Sequence, residues 1–105
     1  MKTATHFARA LAVSDVPPDK LVTVDVEGTK VLLSNLAGEI HAVSATCTHE
    51  EFDLSKGFVL DDAIVCALHL SQFDLRTGEV YNPPATRPLR VFNVKIEDGD
   101  IFLEV

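Results

Sequence analysis

Cysteine is scarce in this chain of 105 residues, which has only Cys47 and Cys66. No apolar run approaches the roughly 20 residues that a membrane-spanning helix needs, so no membrane partner is expected. Met1-Lys2-Thr3-Ala4-Thr5-His6 lacks the apolar stretch of a secretory signal, which makes a cytoplasmic location the default expectation. Basic residues are few as well, nine Lys and Arg against sixteen Asp and Glu, for a net charge of −7. That balance disfavours nucleic acid as a partner, because phosphate binding depends on cations. An acidic surface can steer encounter with a basic protein or simply keep the domain soluble. There is no internal repeat, low-complexity tract or strong 3.6-residue periodicity. The length allows one core and one domain, residues 1–105.

The two cysteines are not scattered. Each stands beside a histidine, in Cys47-Thr48-His49 and, after sixteen intervening residues, in Cys66-Ala67-Leu68-His69. Thiolate and imidazole together call for a transition metal, and four such ligands from two short segments can complete a site. A Cys2His2 zinc finger usually takes like ligands from each segment, whereas both arms are mixed here. Two loops approaching a two-iron, two-sulfide cluster from opposite sides could each give a cysteine to one iron and a histidine to the other, as in a Rieske centre. A mixed-ligand structural zinc module for protein binding is the alternative, and it would be colourless. With both cysteines proposed as ligands none remains for a disulfide, which suits a reducing compartment.

Around this pair the pattern is all-β. Residues 3–13 read as a first strand and Val16-Pro17-Pro18-Asp19 as a turn. Three short strands follow at 21–26, 30–35 and 39–43, joined by Glu27-Gly28 and Ala37-Gly38, with Val22, Val24 and Val26 facing the core. Residues 47–53 form a polar loop and 54–57 a turn. Hairpins are expected at 58–60 with 63–65 and at 73–75 with 79–81. The stretch Asn82-Pro83-Pro84-Ala85-Thr86-Arg87-Pro88 is a stiff loop, either packed over the cluster or a plain connector. Residues 89–96 alternate as one strand, and Asp98-Gly99 turns into a last strand at 100–105. The expected fold is an antiparallel β-sandwich or partly open barrel with a small cluster-binding subdomain inserted near the middle. The base is placed at about 1–45 and 76–105 and the subdomain at about 46–75.

Taken together, the two Cys/His arms, Gln72-Phe73-Asp74, Thr77-Gly78, the proline loop and the last hairpin resemble a Rieske-type [2Fe-2S] ferredoxin of bacterial aromatic-ring-hydroxylating dioxygenase systems. The resemblance implies a monomeric electron-transfer component, not an enzyme, in aromatic hydrocarbon catabolism. Its partners would be a flavoprotein ferredoxin reductase oxidising NAD(P)H and a terminal oxygenase. It also implies one [2Fe-2S] cluster, with Cys47 and Cys66 on the inner iron and His49 and His69 on the outer one. The docking tip would then comprise the two histidines with Glu50, Glu51 and Phe52. Other members of the superfamily fit less well. An oxygenase subunit would need a second iron site, and only His6 and His41 remain for it, both in expected strands; respiratory members have a membrane anchor and two further cysteines. A redox subunit of another system, such as a nitrite reductase small subunit, stays open. Respiratory members place a Ser and a Tyr two and four residues beyond the second histidine, where this chain has Ser71 and Phe73. Ser71 is therefore expected to donate toward the cluster. Loss of the Tyr donor implies a potential near the bottom of the Rieske range of about −150 to +300 mV.

Overall fold

The computed structural model describes residues 6–18, 20–46, 53–67, 70–81 and 88–105. Its scaffold starts from a meander of three strands, β2 (Leu21–Val26), β3 (Thr29–Leu36) and β4 (Glu39–Ser44). The connecting turns place both central residues at positive φ: Glu27 at 52° and Gly28 at 85°, Ala37 at 53° and Gly38 at 93°. That is the type I′ geometry whose twist matches the flanking strands. Buried Asn35 fixes the second turn, since its Oδ1 accepts from Gly38 N at 2.8 Å while its Nδ2 donates to Val16 O at 2.9 Å. Asp98 and Gly99, at 52° and 80°, make the same turn between β9 (Val94–Glu97) and β10 (Asp100–Glu104).

Among the described residues the strands form three antiparallel sheets. β2-β3-β4-β8 is the central one, with β8 (Val91–Phe92) on β4. β1 (Phe7–Ala12), β10 and β9 form the second. β5 (Phe58–Leu60), β6 (Ala63–Val65) and β7 (Gln72–Asp74) form the third.

Strand β3 shows how the sheets share the apolar residues. Val31, Leu32 and Leu33 are consecutive and all 0% exposed. Successive side chains leave a strand on opposite faces, so this run is possible only where both faces are covered. Val31 and Leu33 join Ala42, Phe92, Ile101 and Leu103 in a core shared with the second sheet. Leu32 joins Val43, Ala45, Leu54, Ile64, Cys66, Phe73, Leu75 and Leu89 in a core shared with the third. Val22, Val24 and Val26 lie against the first of these cores, as their alternation predicts, while Leu21 packs against the other.

Several expectations are corrected. Residues 89–96 are not one strand: the chain leaves β4 after Phe92 and joins β10 at Val94. Asn93 makes the crossing, its carbonyl accepting from Glu104 N at 3.0 Å and its side-chain amide donating to Glu104 Oε1 at 2.8 Å. The expected 73–75/79–81 hairpin forms but is short: Phe73 bridges Val80, with Asp74 N donating to Glu79 O and Tyr81 N to Gln72 O, each at 2.8 Å, and the chain between them curls around the Asp74 carboxylate. The first strand is Phe7–Ala12, followed by a 3-10 turn at Val13–Asp15; the expected turn after it closes with Lys20 N donating to Pro17 O at 3.2 Å, and Val16 at its start is fully buried. The other expected turn, at 54–57, contains a 3-10 turn, Leu54–Lys56. No helix of the described residues is long and apolar enough to cross a membrane.

Candidate functional site

Of the sequence-predicted site residues, the structure describes Cys66 and Ser71. Cys47, His49 and His69 lie outside the described residues, as do Glu50, Glu51, Phe52 and most of the proline loop. The feet of both ligand segments are described. At the first, Thr46 and Asp53 form an antiparallel bridge, and Leu54 N donates to Ala45 O at 2.8 Å. Asp53 stiffens this foot by accepting from Ser55 Oγ at 2.7 Å and Ser55 N at 2.9 Å. The hydroxyl first, then the amide, hold its carboxyl below the usual carboxylate range.

At the second foot the β6-β7 register runs on by one pair. Cys66 N donates to Ser71 O at 2.8 Å, and Leu70 N donates to Cys66 O at 2.9 Å. These two bonds close the loop and set Leu70 at φ 62°, the left-handed region that costs a side-chain-bearing residue about 1–2 kcal/mol. Cys66 and Ser71 are each 1% exposed. Cys66 belongs to the same apolar cluster as Ala45 and Leu54, so the described feet of both proposed ligand segments share one floor. A buried sulfur donor there fits an iron-sulfur centre whose thiolate side is shielded.

Behind β7 a polar knot fixes the chain beyond the second foot. The Asp74 carboxylate accepts from the Tyr81 hydroxyl, from Arg76 N at 2.7 Å and from Thr77 N at 3.2 Å. The Arg76 guanidinium reaches Asp62 at 2.7 Å and Glu39 at 3.6 Å, linking the turn to β4 and to the β5-β6 turn. The tyrosine hydroxyl is the main cause that keeps the Asp74 carboxyl below its ordinary range. Conversely, the anion it bonds pushes Tyr81 up to about 12. Stabilisation through Asp74 is present above the unfolded carboxylate pKa and is lost as pH falls through the lowered folded value. The Tyr81 contribution is complete below about pH 10 and is lost as pH rises through about 12. The chain has one tyrosine and no tryptophan, so an ultraviolet titration reads this group alone. Its midpoint is expected near 12, falling most of the way to about 10 in Asp74→Asn; equal midpoints in the two proteins would dismiss the contact.

The remaining histidines are engaged separately, His6 Nε2 with Glu27 at 2.9 Å and His41 Nε2 with Glu39 at 3.1 Å. Sequence reading missed the Asp74 knot, although Asp-Leu-Arg-Thr-Gly is an Asx-turn pattern that could have suggested it. The left-handed Leu70 carries no such signal.

Residues 6–93 match the model of the family described as Rieske [2Fe-2S] domain. The chain is 39% identical to the biphenyl dioxygenase ferredoxin subunit of Pseudomonas sp. (strain KKS102), over 93% of this chain and 91% of that one. The Sphingomonas yanoikuyae B1 ferredoxin superposes with a TM-score of 0.90 at 28% identity, over 95% and 99% of the two chains. A chain in the complex of reduced oxygenase and oxidized ferredoxin in carbazole 1,9a-dioxygenase superposes with a TM-score of 0.86 at 30% identity, over 92% and 91%.

Proposed function

This chain belongs to the Rieske [2Fe-2S] domain family, and from that membership we infer that it carries single electrons from an NAD(P)H-dependent flavoprotein reductase to a terminal ring-hydroxylating oxygenase. It is an electron-transfer component rather than a catalyst. The observation that carries the reading is the likeness to a dioxygenase ferredoxin subunit along nine-tenths of both chains. One Rieske-type [2Fe-2S] cluster supplies the redox chemistry when bound, taking up and releasing one electron.

The residues divide that work. Cys66, with Cys47, would hold the inner iron from the buried side, and His49 and His69 would hold the outer iron. Ser71 would orient the second loop and donate toward the cluster. In this reading residues 46–75 form the cluster-binding part on the base of 1–45 and 76–105, a division supported by the β5-β6-β7 sheet falling within 58–74. The net charge of −7 favours a monomer and a basic docking face on each partner. The absence of any cysteine beyond the two proposed ligands suits the reducing cytoplasm.

The test is a reconstitution. NADH and a flavoprotein reductase are expected to bleach one electron equivalent per chain in the visible spectrum, and a terminal oxygenase to restore the colour. A protein that takes up no electron from the reductase, or returns none to the oxygenase, would end this reading.

A further inference from the structure

We propose that Leu70 is the apolar contact through which the terminal oxygenase selects this chain. The proposal rests on the electron-carrier reading above and deepens it.

Leu70 is strained and exposed at once. The two backbone bonds at the second foot dictate a φ of 62° there. Glycine would accept that conformation without steric conflict, asparagine tolerates it better than other residues with a side chain, and a polar side chain would suit the water around it. Leucine does neither, and at 58% exposure it is the most exposed large apolar side chain among the described residues. An exposed leucine alone is ordinary. An exposed leucine in a left-handed conformation, directly after the proposed outer-iron ligand His69, costs the free protein stability, and among the described residues it joins neither apolar core.

A binding partner supplies the return. The net charge of −7 draws any basic partner at long range, which raises encounter rates but separates one basic surface from another poorly. Discrimination needs short-range contact, and the desolvated centre of an interface is apolar. Leu70 brings such a group to the loop that carries the electron outlet. The oxygenase is the partner assigned because a chain 30% identical to this one occurs in a complex with its oxygenase.

The experiment compares wild type with Leu70→Asn, which fits the backbone but removes the apolar group, and with Leu70→Met, which keeps it. Each cluster-loaded protein is assayed with the oxygenase and the flavoprotein reductase from the same source organism, and with ferricyanide as a small oxidant. Leu70→Asn is expected to raise the oxygenase KM for the reduced protein about tenfold with kcat unchanged. Its midpoint potential, its ferricyanide rate and its KM with the reductase should match wild type. Leu70→Met should stay within about twofold of wild type throughout. An unchanged oxygenase KM, an equal rise with the reductase, or a Leu70→Met loss as large as that of Leu70→Asn would overturn the proposal. Failure of the wild-type protein to serve the oxygenase would instead defeat the electron-carrier reading, before any variant is compared.

Discussion

Cys66→Ala is expected to yield a colourless protein, without iron or acid-labile sulfide, that differs little from cluster-stripped wild type in its fold. The two halves of that outcome have separate causes. The sulfur is one of four proposed ligands and the buried one, 1% exposed, so no solvent-borne ligand can reach the iron it would leave. The rest of the residue acts through its backbone, accepting from Leu70 N and donating to Ser71 O, and alanine keeps both bonds. What the side chain loses is one sulfur atom from a cluster formed with Leu32, Leu54, Ile64 and Phe73. Removing a group of that size costs about 1 kcal/mol in a tightly packed core. Iron analysis and urea denaturation, each compared with stripped wild type, separate the terms. Iron retained at the wild-type ratio would remove Cys66 from the ligand set.

Some of this was legible in the residues and some was not, along a physical divide. Local rules reached the Glu27-Gly28, Ala37-Gly38 and Asp98-Gly99 turns, because a type I′ turn is a property of two residues. They reached the alternation of Val22, Val24 and Val26 for the same reason. They failed at residues 89–96, where the alternation is real but the pairing partner changes between Phe92 and Val94. Pairing partners are chosen by the whole fold, not by the strand. Cys66 was readable as a ligand candidate from its spacing, while its place on the floor shared with Ala45 and Leu54 required the third sheet. Leu70 was invisible because its conformation is imposed by the hydrogen bonds at the loop foot. Leucine itself disfavours it.

Gly57 belongs to the same category, and it carries the largest expected stability change among the substitutions considered. It ends the 3-10 turn Leu54–Lys56, its N–H donating to Leu54 O at 3.0 Å, with φ −85° and ψ −157°. Any residue could adopt that backbone, so glycine is not required for its conformation. Space requires it. A Cβ there would lie 1.9 Å from Val65 O and 3.3 Å from Leu54 O, both backbone atoms. No side-chain rotation relieves such a clash, so β6 must move away from the turn. Val65 immediately precedes Cys66, and the shift would carry this proposed ligand away from the foot of the first loop. Gly57→Ala is therefore expected to cost about 3 kcal/mol or more and to lower iron content even in the chains that fold. Gly28→Ala makes a strict comparison, because its added methyl meets nothing within 4 Å and only the φ of 85° is unfavourable. Its cost should be about 1 kcal/mol, with iron content unchanged. Equal unfolding midpoints and equal iron in the two variants would mean that β6 slides freely against the turn, and the rigid floor assigned to both ligand segments could not then be maintained.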